Sequence, residues 1–268
     1  MTIDRERARR FWDRQVTDQA YETDFGPGTL VKDRRLALCR KAVEEERLSR
    51  LIELEPHQTV LDIGCGTGRW AMFFSPRVRS VVGTDFSEAM IARAKAIAER
   101  QGAENVEFRV ADATSLEGMP RADVVHAGGV LQYLSDEDVT TFAEAANSLL
   151  RPGGRLVTRD SVGPRRVVQA GEYPVVYRTE LEYQELLSAA GFELERRTRA
   201  SFIPVLLPRV MPIFPLPPLL ARVAMELDGR LVRTWPMPSL LRLYSWLTGR
   251  GSGLVIDHRF AVWRPRAD

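Results

Sequence analysis

The sequence predicts an α/β protein, a doubly wound, mostly parallel seven-stranded sheet with a helical insertion before the last strand. Three observations carry this. Strand-like runs alternate with helical periodicity from Val60 to Phe202. Asp62, Asp85, Asp112 and Gly128 all fall at the carboxyl ends of predicted strands, where such sheets bind ligands. Residues 203–252 then break the alternation, beginning with Pro204, Pro208, Pro212, Pro215, Pro217 and Pro218. Prolines that dense forbid a regular helix or strand.

In chain order, residues 3–15 read as a charged helix with Phe11 and Trp12 as apolar anchors. Tyr21 to Gly28 form a loop. Residues 32–54 read as a long helix, with Leu36, Cys39, Val43, Leu48, Leu51 and Ile52 near helical spacing, ended by Pro56. Val60 to Ile63 are the first strand. Ser80 to Thr84 are the second, and Ser87 caps a helix that ends near Gly102. Val106 to Val110 and Ala122 to His126 are the third and fourth strands. Ser135 opens a helix with a capping-box pattern, stopped by Arg151-Pro152-Gly153-Gly154. Arg155 to Asp160 form the fifth strand. Thr179 and Glu182 make a second capping box for a helix ending at Gly191. Residues 193–202 and 254–264 are the sixth and seventh strands.

The chemistry centres on Val60-Leu61-Asp62-Ile63-Gly64-Cys65-Gly66-Thr67-Gly68. A strand feeds a glycine loop, and Arg69 to Phe74 start a helix. Such a loop presents backbone N–H groups and lets a ligand approach with no Cβ in the way. A dinucleotide loop reads G-x-G-x-x-G and aims a helix at a pyrophosphate. Here the glycines run G-x-G-x-G after Asp62, whose carboxylate disfavours an anion and suits an amine or sulfonium.

This nonamer resembles the first motif of class I S-adenosylmethionine-dependent methyltransferases, whose fold is Rossmann-like with an antiparallel last strand. The resemblance covers residues 56–202 well and 254–264 loosely. It implies that Asp62 faces the amino end of the methionine moiety, with Gly64, Cys65, Gly66 and Gly68 passing beside it. Asp85, 23 residues after Asp62, is placed to accept both ribose hydroxyls. Phe86 and Met90 then supply apolar contacts to the adenine, and Asp112 with Ala113 matches the position that accepts its amino group. Gly128 leaves room for the methionine portion. In such proteins an N-terminal segment folds over the cofactor, which makes Tyr21 a candidate contact, beside the plainer role of packing.

The cofactor brings its own leaving group, so the protein must place a nucleophile in line and exclude water. A base is needed only where the nucleophile carries a proton. Asp160 ends the fifth strand, where it either caps and pairs locally or touches substrate at the site rim. Tyr133 stands where family members often carry a histidine. Tyr177 lies before a helix and is a pocket candidate. His57 reads as solvated, and His126 and His258 as core imidazoles. No histidine has neighbours at metal-ligand spacing, so no metal is expected.

The 268 residues suit one large domain with an elaboration: N-terminal helices covering the cofactor site in 1–55, the binding core in 56–202, the insertion in 203–252, and the last strand and tail in 253–268. A net charge of +2, with no basic stripe interleaved with aromatics, argues against a nucleic-acid partner. Cys39 and Cys65 are far apart, so no disulfide and a cytoplasmic location are expected. No run of eighteen apolar residues free of charge and proline suggests a membrane span. The insertion suits three roles: a helical lobe that only packs, a lid on an apolar acceptor pocket, or a peripheral membrane contact.

The reading is a methyltransferase acting on a small molecule, a monomer or homodimer, with O-methylation ahead of N- or C-methylation by analogy of fold. Its rivals are a dinucleotide oxidoreductase and a non-catalytic cofactor-binding partner subunit.

Overall fold

Parallel strands buried on both faces need helices on both faces, and the apolar residues of this chain divide that way. The computed structural model describes residues 4–17, 34–169, 174–202 and 257–266. The insertion at 203–252 and Tyr21 lie outside the described residues.

Helix α1 spans Arg5–Thr17 and α2 spans Arg34–Leu51. The core then alternates β1 (Thr59–Ile63), α3 (Arg69–Phe74), β2 (Ser80–Asp85), α4 (Glu88–Gln101), β3 (Val106–Val110), β4 (Ala122–Gly128), α5 (Asp136–Leu149) and β5 (Leu150–Val162). A short ribbon follows, β6 (Val167–Gln169) with β7 (Val175–Tyr177), then α6 (Glu180–Ala189), β8 (Phe192–Phe202) and β9 (Asp257–Pro265). The seven-stranded sheet runs β3-β2-β1-β4-β5-β9-β8, with β9 antiparallel to both neighbours. The reversal of strand order between β1 and β4 opens the crevice at the carboxyl edge.

Two apolar layers hold the sheet. Leu48, Trp70, Phe74, Ile91 and Ala94 of α2, α3 and α4 bury one face with Phe260 and Val262. Phe142, Ala146, Tyr183 and Leu187 of α5 and α6 bury the other with Leu156 and Trp263. The caps are those the sequence predicts. Ser87 accepts from the Met90 N–H, and the capping boxes Ser135/Asp138 and Thr179/Glu182 are both closed. Each such cap stabilises its helix by roughly 1 kcal/mol.

Some boundaries differ from expectation. Helix α2 ends at Leu51, five residues before Pro56, so the proline does not stop it. Strand β5 begins at Leu150, because the expected stop at Arg151–Gly154 is absorbed as an irregularity in its pairing with β4. The β6–β7 ribbon is an addition, with Val167 paired to Tyr177. Among the described residues no helix is long and apolar enough to cross a membrane.

Candidate active site

At the end of β1, Asp62 is 1% exposed. Its Oδ1 lies 2.7 Å from His126 Nδ1, and its Oδ2 is buried with no partner among the described residues. A buried carboxylate oxygen left unpaired is costly, so it marks a position that an external donor completes. His126 sits inside β4 against the rings of Trp70 and Phe74, and its ring nitrogen fixes the Asp62 carboxylate. The core-imidazole reading holds for its burial, and the pairing with Asp62 adds a positioning part.

The loop glycines do different work. A Cβ on Gly64 would stand 2.3 Å from Val130 Cγ2, so Gly64 is there for packing against the segment after β4. Gly66, at φ +55°, has nothing within 4 Å of its would-be Cβ and faces open space. Gly68 packs on Phe108 and starts α3. The Cys65 side chain turns inward and is buried, so only its backbone lines the loop. Burial, then the nearby Asp62 and Asp85 carboxylates, push its thiol pKa well up.

Asp85 ends β2. Its Oδ2 accepts from the Gly66 N–H at 2.9 Å and its Oδ1 from the Ser87 N–H at 3.0 Å. Burial raises its pKa to about 6 although these two N–H groups favour the charged form. Each oxygen keeps a lone pair for a hydroxyl donor. Phe86 is half-buried beside it and Met90 is buried within α4.

Helix α1 closes this end. Asp13 Oδ1 lies 2.5 Å from Ser87 Oγ, and Arg5 bonds both Asp112 and Thr114. Asp112 is therefore already engaged: its Oδ1 also accepts from the Thr114 N–H and hydroxyl. Ala113 lies between them, half-buried. Helix α2 does not share in this cover. It packs on β8, where Arg47 donates to the Arg199 and Ala200 carbonyls.

On the other side of the crevice the structure refines one expectation and corrects another. The side-chain position of Gly128 is taken up by the protein, because a Cβ there would stand 2.7 Å from His126 Cε1 and 2.8 Å from Trp70 Nε1, while its backbone stays half-buried at the strand end. Its small size admits those rings. Asp160 does not reach the rim. Its carboxylate is buried beneath the turn after β4, with Oδ1 accepting from the Leu131 N–H at 3.1 Å. Strand alternation puts it on the α6 face, towards Tyr183, while Arg159 points to the α2 face. Burial pushes the Asp160 pKa to about 7, against the pull of Arg159 and Arg178.

Arg178, fully buried, completes that clamp. It donates to the carbonyls of Leu131 and Leu134 at 2.8 and 2.7 Å and to Asp136. Tyr133 sits on the clamped turn, edge-on to Trp12 of α1 with centroids 5.7 Å apart. Tyr177 lies on the β6–β7 ribbon, one residue before Arg178. Among the described residues no group of three His, Cys, Asp or Glu side chains stands together as a metal site.

Residues 60–154 match the family model described as "Methyltransferase domain". The core is a class I S-adenosylmethionine-dependent methyltransferase domain. The residues present fit the cofactor of that family, S-adenosylmethionine: the unpaired Asp62 oxygen suits its ammonium group, and the open surface at Gly66 admits its backbone-like portion. The match also removes the dinucleotide reading. The phosphoethanolamine N-methyltransferase 1 of Zea mays is 31% identical over 135 residues, which are 49% of this chain and 26% of that protein. The ubiquinone biosynthesis O-methyltransferase of Bradyrhizobium sp. (strain ORS 278) is 33% identical over 129 residues, 48% of this chain and 47% of that protein. The chain thus spans about half or less of these curated relatives. The structure of geranyl diphosphate C-methyltransferase from Streptomyces coelicolor A3(2) superposes with a TM-score of 0.63 at 17% identity, covering 98% of each chain, and at that identity shows the fold.

Sequence reasoning missed Arg5, Asp13, Trp70, Arg178 and the buried Glu44 with its arginines. Only Trp70, two residues after the glycine loop, carried a local signal.

Proposed function

We propose that the chain transfers a methyl group from S-adenosylmethionine to a small-molecule acceptor, with a hydroxyl oxygen as the preferred nucleophile. S-adenosylmethionine supplies an activated methyl group with its own leaving group. The observation that carries the reading is the buried Asp62 Oδ2, left without a partner beside the open Gly66. In this reading Asp62 accepts from the ammonium group and Asp85 from the ribose hydroxyls. Phe86, Met90 and Ala113 flank the adenine, and Asp112, with Arg5 across it, closes that end. Gly64, Cys65 and Gly68 shape the loop through their backbone.

Tyr133, Tyr177 and the insertion at 203–252 are proposed to wall the acceptor, and Tyr21 to close over the cofactor. Asp160 becomes a positioning residue that works through the Leu131 turn. The oxygen preference rests on analogy of fold. The relatives named above are an N-, an O- and a C-methyltransferase, so nitrogen and carbon acceptors remain the second reading. The rival of another class is a cofactor-binding subunit that activates a partner.

Calorimetry with S-adenosylhomocysteine tests the first half. Asp62→Asn should bind about tenfold more weakly than wild type, as for loss of a charge-assisted hydrogen bond. Release of S-adenosylhomocysteine on incubation with phenol, amine and isoprenoid acceptors tests the second. Binding without turnover on any of them would favour the partner-subunit reading.

A further inference from the structure

On the α2 face of the sheet, Glu44 is fully buried among cations. Arg159 Nη2 lies 2.5 Å from its Oε1 and Arg69 Nη2 lies 2.8 Å from its Oε2, with Arg40 Nε at 3.8 Å. Burial alone would raise the Glu44 pKa, but Arg159 and Arg69, helped by His258 and Arg40, hold it well below the usual range. Arg159 Nη2 also donates to His258 Nδ1 at 2.7 Å, which requires the imidazole to be neutral there. Arg159 and Arg69 thus both lean on the Glu44 carboxylate.

One carboxylate does not satisfy them. Nε of Arg159 and Nε of Arg69 are buried and meet no acceptor among the described residues. The Arg69 contact to Glu44 is an ion pair without hydrogen-bond alignment. Buried guanidinium donors left unpaired are costly, and a further anion would meet them.

Place decides which anion. Arg69 follows Gly68 directly, at the end of the cofactor loop. The Arg159 carbonyl accepts from the Gly129 N–H at 2.6 Å, and Arg159 Nη1 lies 3.8 Å from where a Gly129 Cβ would stand. Arg69 therefore stands just past the carboxyl end of β1 and its loop, and Arg159 stands level with the carboxyl end of β4, both next to the crevice. Guanidinium forks match the planar oxygens of a carboxylate and the oxygens of a phosphate.

We propose that Arg69 and Arg159 bind an anionic group, carboxylate or phosphate, carried by the methyl acceptor. This rests on the methyl-transfer reading, and it narrows the acceptor class to small anionic molecules. Glu44 and His258 hold the arginines in place.

The test uses the full chain saturated with S-adenosylhomocysteine and titrated in a calorimeter with sodium benzoate or inorganic phosphate at matched ionic strength. At least one anion should bind saturably. Arg159→Gln and Arg69→Gln should each weaken it about tenfold or more, as for a lost charge-assisted contact. S-adenosylhomocysteine binding by each variant reports that it is folded. If Arg159→Gln does not fold, the less buried Arg69→Gln decides. Binding of benzoate alone assigns a carboxylate, and of phosphate alone a phosphate. Absence of saturable binding of both, or unchanged affinity in the folded variants, overturns the proposal. Failure of wild type to bind S-adenosylhomocysteine would instead contradict the methyl-transfer reading, and the anion titration is then read on the unliganded protein.

Discussion

The two sides of the crevice are built differently. The β1–β2 side draws its residues from one stretch: Asp62, Gly64, Gly66, Asp85 and Ser87 lie within 62–87, backbone N–H groups of that stretch meet its side chains, and His126, Asp13 and Val130 buttress it from elsewhere. The β4–β5–β9 side is assembled from distant segments. Arg159 meets Glu44 across 115 positions and His258 across 99, and Arg178 clamps Leu131 across 47. The β1–β2 side can therefore be specified largely by one stretch of sequence, while the β4–β5–β9 side needs the whole sheet closed. The two sides should fail in different ways.

The largest effect is expected on the assembled side. Arg178→Met leaves the Leu131 and Leu134 carbonyls without their donor and Asp136 without its fully buried partner. Urea unfolding should show a loss of about 2–4 kcal/mol, mainly from the buried hydrogen bonds to the carbonyls, since Asp136 is solvent-screened. A loss below 1 kcal/mol would show that the clamp does not hold that side together.

A pH experiment sharpens the same point. The Asp160 pKa is about 7 when folded, against an ordinary 3.8. Below 3.8 both states hold the proton. Between these values the folded state keeps a proton that the unfolded state has released, so stability falls as pH rises through that window and the loss is complete above 7. Asp160→Asn removes this term. Relative to wild type it should be more stable at pH 8 than at pH 4 by roughly 2–4 kcal/mol. A difference that does not change with pH would show that the carboxylate is not buried as described.

Glycine substitutions separate packing from binding on the local side. Gly64→Ala drives a methyl group into Val130 and should cost roughly 2–3 kcal/mol of stability. Gly66→Ala has open space and should cost only about 1 kcal/mol, from its backbone angle. Its loss should appear in cofactor affinity, which Gly66→Val should abolish. Equal thermal shifts for Gly64→Ala and Gly66→Ala would contradict the division of labour.

What could be read from the sequence follows the same division. The succession of strands and helices, the caps at Ser87, Ser135 and Thr179, and the convergence of Asp62 and Asp85 on one edge follow from local periodicity and turn chemistry. The placement of Asp160 did not. Whether a strand-end carboxylate faces the crevice or the helix behind it depends on strand alternation to the last residue, and a one-residue difference reverses the face. Gly128 shows a related limit: a small residue makes room, and the sequence does not say that Trp70 and His126 fill its side-chain position. Arg5 meeting Asp112, and Glu44 meeting three arginines, are tertiary pairings with no periodic trace.

One calorimetric comparison tests the separation of the two sides most directly: S-adenosylhomocysteine titrated into wild type, Asp85→Ala and Arg159→Gln. Asp85→Ala should lose about 2–3 kcal/mol, or roughly 30- to 150-fold in affinity, because a charge-assisted pair of hydrogen bonds is removed. Arg159→Gln should stay within about threefold, or about 0.7 kcal/mol, of wild type. Unchanged affinity in Asp85→Ala, or an equal loss in both folded variants, would contradict the account.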